Sequence, residues 1–142
     1  MKRILYFAAC CGLFWACSED DRVIEDASGL VGSWVLFEQL ADPGDGSGVF
    51  RPVVSSKRVT FAEDGTYEAN GSLCNMDTQV GGTVSGSYQI ANDTLTQFSI
   101  DNFLTPTDCF SDELKVFITV EDDNLILSYL CIEPCQQKYR KL

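Results

Sequence analysis

From Leu30 onward, apolar and polar residues alternate in short runs divided by turn residues. Leu30 to Leu40, rich in aromatic and β-branched residues, reads as a first strand. A Gly/Asp/Pro loop spans 41–48, and Phe50 to Val54 reads as an edge strand because Pro52 cannot donate to a ladder. Val59 and Phe61 share one face, Glu63-Asp64-Gly65-Thr66 turns, and Tyr67 and Ala69 resume that face, the pattern of a hairpin. Thr83 to Ile90 follows as a strand, then an Asn92-Asp93 turn and a strand from Thr94 to Ile100. The opposite parity of Leu95 and Phe98 predicts a bulge near Thr96-Gln97. Leu114, Val116, Ile118 and Val120 form the cleanest period-two face. Glu121 to Asn124 is a turn, Asn124 to Cys131 is apolar on both faces, and Gln136 to Leu142 is a last strand.

Eight or nine strands with no helix after the leader place the chain in the all-β class. A single antiparallel up-and-down β-barrel of about eight strands is expected for residues 30–142, because closure removes the edges that invite aggregation.

The first residues follow a different pattern. Lys2 and Arg3 precede an apolar run from Ile4 to Ala16, which as a helix is roughly 20 Å long against the ~30 Å a bilayer crossing needs. The run is therefore read as a cleaved signal helix, residues 1–16, with Ala16 as the small residue before the cut. Phe14-Trp15-Ala16-Cys17 resembles a lipobox, which implies lipidation of Cys17 and a mature chain that begins there. Residues 17–29 are then a lipidated, acidic, flexible tether. Ser18, Glu19, Asp20 and Asp21 resemble the surface-export tag of certain Gram-negative lipoproteins, which implies an outer-membrane anchor and exposure at the cell surface.

Charge and cysteines sharpen this picture. The chain carries 21 acidic against 10 basic residues, net −11, which disfavours nucleic acid and anionic lipid headgroups as partners. Cys10 and Cys11 leave with the leader and Cys17 takes the lipid, so Cys74, Cys109, Cys131 and Cys135 remain. Export favours two disulfides. Three connectivities exist, of which Cys74–Cys109 and Cys131–Cys135 is preferred, with Pro134 helping to turn the shorter loop.

Gly32-Ser33-Trp34 resembles the Gly-x-Trp motif of lipocalins, whose tryptophan plugs the closed end of an eight-stranded barrel. Val59-Thr60-Phe61 with Asp64-Gly65-Thr66-Tyr67, then Gly86-Ser87-Tyr88, then Asn92-Asp93-Thr94-Leu95-Thr96, are similar to patterns in bacterial lipocalin-like lipoproteins. Cys74-Asn75 and Thr107-Asp108-Cys109 resemble the META-type domain of heat-shock lipoproteins. The lipocalin resemblance implies a plug made of Gly32 and Trp34 with a late-strand arginine, here Arg140, stacked over the indole.

Catalytic chemistry finds no support in the residues. The chain lacks histidine, which excludes a Ser-His-Asp triad and removes the commonest general base and metal ligand. Asp42, Asp45 and Ser47 offer oxygens for a cation, but no bidentate glutamate follows at the expected position. No enzyme activity, catalytic residue, metal or cofactor is therefore expected. A barrel of eight strands is just wide enough either to hold one small ligand or to fill with side chains. Phe61, Tyr67, Tyr88, Phe98, Phe117 and Tyr129 are the candidates to line a pocket for a small apolar or sugar-like ligand. The alternative is a solid-core structural or interaction lipoprotein, in an envelope-stress, accessory or inhibitor role, that acts on an unknown protein partner through its loops.

Overall fold

Alternating side chains bend one continuous sheet around a common interior. The computed structural model describes residues 29–91 and 95–142. The strands are β1 (Gly32–Ala41), β2 (Arg51–Pro52), β3 (Arg58–Phe61), β4 (Thr66–Ala69), β5 (Val84–Gln89), β6 (Phe103–Pro106), β7 (Val116–Glu121), β8 (Asn124–Ser128) and β9 (Cys135–Lys141). Every neighbouring pair is antiparallel, and β9 returns to pair with β1 from Trp34↔Lys141 to Ala41↔Cys135. β2 and β3 lie along the same edge of β1, at Glu38–Gln39 and at Gly32–Val35. They act as one interrupted strand, so the barrel has eight walls. The expected all-β, eight-stranded, up-and-down barrel is what the chain forms. Among the described residues no helix is long and apolar enough to cross a membrane.

The inward face reads off by alternation. Trp34 and Leu36, Val59 and Phe61, Tyr67 and Ala69, then Val116 and Ile118, then Leu125 and Leu127 point into one core. The β3–β4 hairpin turns where expected. Asp64 Oδ1 accepts from Thr66 N at 3.0 Å and from Thr66 Oγ1 at 2.6 Å, while Gly65 takes a φ of 82° that glycine adopts without penalty. Asp122 and Asp123 hold φ values of 48° and 60°, giving β7–β8 a two-residue turn whose twist matches its strands.

Three expectations are corrected. The strand expected over Thr94–Ile100 is absent between Leu95 and Ile100; these residues form turns, and the strand lies later, at Phe103–Pro106. The reason is Leu95, which is buried in the core while Phe98 and Ile100 are exposed. Leu95 O accepts from Val120 N at 2.8 Å, and Asn102 O from Ile118 N at 2.9 Å, so this segment crosses the barrel end instead of extending its wall. The expected bulge lies elsewhere, between Leu36 and Glu38 in the β1–β9 ladder. Phe50–Val54 contributes only Arg51–Pro52 to the sheet. The leader, Cys17, Ser18 to Asp21 and the Asn92-Asp93 turn lie outside the described residues.

Connectivity gives the barrel two unlike ends. Gly29, Leu30, the tight turns 62–65 and 122–123, and the crossing segment 95–102 share the end that holds Trp34. Four longer loops, 42–50, 70–83, 107–115 and 129–134, share the other. Both disulfides are at this loop end. Cys74–Cys109 joins the second loop to the third with Cα atoms 5.4 Å apart, and Cys131–Cys135 closes the fourth at 6.1 Å. The preferred connectivity is the one present.

Candidate functional site

A barrel this narrow leaves its chemistry to its ends. At the first end Trp34 is buried and its Nε1 donates to Leu30 O at 2.7 Å. The cation above its ring is Lys141, with Nζ 5.2 Å from the ring centroid and 2.8 Å from Gly29 O. Arg140, expected in that place, faces outward and lies 5.9 Å from the ring of Phe37. The difference is one of parity: Arg140 pairs with Val35 on the outer face, whereas Lys141 pairs with Trp34 itself. Gly32 opens β1 at a φ of 123° beneath the stem of the same lysine.

Beneath the loops the interior turns polar. Lys57 and Gln137 are fully buried. Lys57 Nζ donates to Asp77 O at 2.5 Å. Gln137 Oε1 accepts from Tyr129 Oη at 2.7 Å and from Tyr139 Oη at 2.8 Å, and its Nε2 donates to Gln39 Oε1 at 3.2 Å and to Asp77 O at 3.3 Å. The buried Tyr67 hydroxyl has no hydrogen-bond partner among the described residues; a Cβ at Gly86 would meet it at 2.8 Å and Thr105 O at 2.3 Å, so only glycine fits beneath that ring. The hydrogen bonds of this layer link strands β1 and β9 to the 70–83 loop.

Burial sets the proton affinities here. Desolvation pushes the Lys57 ammonium down to about 8, against the supporting fields of the Asp77 and Asp108 carboxylates. Desolvation raises Tyr67, Tyr129 and Tyr139, because a phenolate has no water there. The two groups drive stability in opposite directions. Between about pH 8 and 10.5 the unfolded chain holds the lysine proton more tightly than the native one, so stability rises with pH. Above about pH 10 the unfolded tyrosines ionise before the buried ones, so stability falls. Urea titrations from pH 7 to 11 should therefore show a maximum just below pH 10. Lys57→Met should flatten the rising limb, about 2–3 kcal/mol in height, and leave the falling limb in place. A rising limb that survives the substitution would assign it to another group.

Six aromatic residues are candidates to line a pocket, and they divide into groups. Phe61, Tyr67 and Tyr88 are buried, with ring centroids 6.2 Å apart for Phe61–Tyr67 and 5.1 Å for Phe61–Tyr88. Tyr88 Oη donates to Ala62 O at 2.6 Å. Tyr129 belongs to the polar layer through Gln137. Phe98 and Phe117 stand outside the barrel, packed edge to face at 5.4 Å. The six do not surround one space.

A groove of about 330 Å³ opens instead at the loop end, lined by Gly71, Ser72, Asp77, Val80, Val84 and Asp108 among others. A smaller depression of about 150 Å³ lies on the wall beside Arg58, Glu68 and Asn70. Cys74, Asp108 and Cys109 bring three potential metal-ligating atoms within 4.8 Å of one another. Both sulfurs are joined in the disulfide, which leaves no thiolate for a metal. Asp42 is committed as well. Its Oδ1 accepts from the N–H groups of Gly44, Asp45 and Gly46 at 2.8, 3.2 and 3.1 Å, and its Oδ2 from Gly48 at 2.8 Å. Those bonds lower its pKa and fix the 42–50 loop.

Sequence reading missed Lys57, Gln137 and Asn102 as interior residues. The signal was parity: each stands two positions before an inward apolar residue, Val59, Tyr139 and Leu104, and extending the alternation by one step reaches it. The chain matches no family model, and neither a curated protein nor a solved structure matches it.

Proposed function

We propose that this chain is a lipid-anchored lipoprotein of a Gram-negative outer membrane, exposed at the cell surface, whose lipocalin-like barrel is a solid scaffold for interaction loops. The observation that carries the reading is the interior: aromatic and aliphatic side chains from every wall meet in one packed cluster, and hydrogen-bonded polar groups close it beneath the loops. A filled barrel favours the interaction role over carriage of a ligand inside it. Any small sugar-like ligand would then use the open groove between the 70–83 loop and Asp108. The anchor reading rests on the Cys17 motif and is compatible with the topology. Gly29 and Leu30 enter at the Trp34 end, so a tether from Cys17 would leave the four loops facing away from the membrane.

The test uses the full-length protein in a Gram-negative envelope. Radiolabelled palmitate should mark the wild type and not Cys17→Ser, and protease added to intact cells should remove the wild-type domain. Native mass spectrometry of the detergent-extracted protein should then give the polypeptide and its lipid alone. Label on Cys17→Ser would refute the anchor, and a retained small molecule at fixed stoichiometry would refute the solid scaffold.

A further inference from the structure

The interaction role leaves the contact surface and its partner to be identified. The four loops of the loop end each expose an apolar side chain: Val49, Val80, Phe110, and Leu130 with Ile132. Phe110 and Ile132 are completely solvent-accessible. An exposed large apolar side chain on every loop of one barrel end is an unusual use of surface and marks a contact site.

Their supports make them more than loose loop residues. Phe110 follows Cys109 of one disulfide, and Ile132 follows Cys131 of the other. Val49 closes a loop held by the Asp42 carboxylate, and Asp42 N donates to Pro134 O at 3.0 Å, joining that loop to the one that carries Ile132. Ser55 Oγ donates to Thr78 O at 2.7 Å, and Asp77 O accepts from the buried Lys57, fixing the loop that carries Val80. A loop backbone held in place before contact loses less entropy on binding than a free loop does, which favours a hot spot on it.

Charge then selects the partner. The four loops hold Asp42, Asp45, Asp77, Asp108, Asp112, Glu113 and Glu133 against the single cation Lys115. Lys115 is itself turned onto the ring of Phe103, 3.8 Å from its centroid. Acidic residues around apolar anchors complement a basic surface that carries apolar side chains. They repel anionic lipid headgroups, nucleic acid and the same rim of a second copy.

We propose that the loop end is a docking surface for a positively charged protein segment, with Phe110 and Ile132 as its apolar anchors and the surrounding carboxylates as its specificity. This rests on the interaction reading above.

The test measures binding of short synthetic peptides to the detergent-extracted, full-length protein. One peptide alternates lysine with phenylalanine and leucine. A second replaces the lysines with glutamate, and a third keeps the lysines but replaces the apolar residues with glycine. The first peptide should bind, and its affinity should fall with added salt. The Phe110→Ser/Ile132→Ser double variant should lose about tenfold or more in affinity without change in melting temperature, since both side chains are exposed. Phe98→Ser, at the opposite end, should leave binding unchanged. Equal binding of all three peptides, no binding of the first, retention by the double variant, or preference for anionic vesicles over the first peptide would each overturn the proposal. None of these results depends on lipid at Cys17, so failure here leaves the anchor reading standing, and the palmitate experiment decides that separately.

Discussion

Trp34→Ala should remove about 3–5 kcal/mol of stability, the largest loss from a single side chain in this barrel. The indole is fully buried where β1 meets β3 and β9, so its removal leaves a void that the short turns of that end cannot fill. The substitution also removes the indole N–H that Leu30 O accepts from at 2.7 Å. Urea denaturation would measure the loss. Trp34→Phe separates the two contributions, because it keeps most of the volume and removes only the donor; about 1–2 kcal/mol is expected. Lys141→Ala should cost less than about 1 kcal/mol, since its cation lies over the ring from the exposed side. If Trp34→Ala does not accumulate as folded protein, the phenylalanine variant still ranks the plug. A Trp34→Phe loss near zero would refute the role of the Leu30 bond.

Removing the Cys74–Cys109 disulfide should cost about 4 kcal/mol, or roughly 15 °C in melting temperature for a domain of this size. The bridge spans a sequence separation of 35 and joins two loops otherwise held at strands β4 and β6. Its loss releases chain entropy in the unfolded state and also loosens the loop that supplies Asp77 O to Lys57 and Gln137. Replacing Cys131 and Cys135 removes a separation of only 4 and should cost about half as much. Calorimetry of the two double-alanine variants gives the comparison. Equal losses would mean that native-state packing, and not loop length, sets the value of each bridge.

The parts of this fold that were legible in the sequence are those where local signals agree. At Val59–Ala69, alternation, the Asp64-Gly65 turn and β-branched residues all indicate the same hairpin. At Val116–Ser128, two aspartates supply the turn and the apolar face repeats every second residue. β6 was illegible because it has four residues, begins after Asp101-Asn102 and ends at Pro106, which together read as loop. Thr94–Ile100 misled for the opposite reason: its composition suits a strand, while burial of Leu95 bends the segment across the barrel end. Of the site, the four cysteines were legible as two disulfides, while their pairing was a preference among three connectivities that the fold resolves. Lys57 was missed because a lysine after Ser55-Ser56 reads as surface, although the alternation of Val59 and Phe61 extends one step back to it.

The seam between β1 and β9 has a temporal consequence. The first wall of the barrel bonds to the last, with Gln39 and Gln137 in register across 98 positions of chain. Contacts of that span form late and slowly, because loop closure costs entropy before the ladder repays it. Until β9 arrives, β1 and β8 both present open edges, and Tyr139 and Gln137 are missing from the interior. If the chain crosses a membrane unfolded with its first strand leading, as the proposed anchor implies, it must wait for its final residues before the barrel can close, and it then depends on that interval being short or chaperoned.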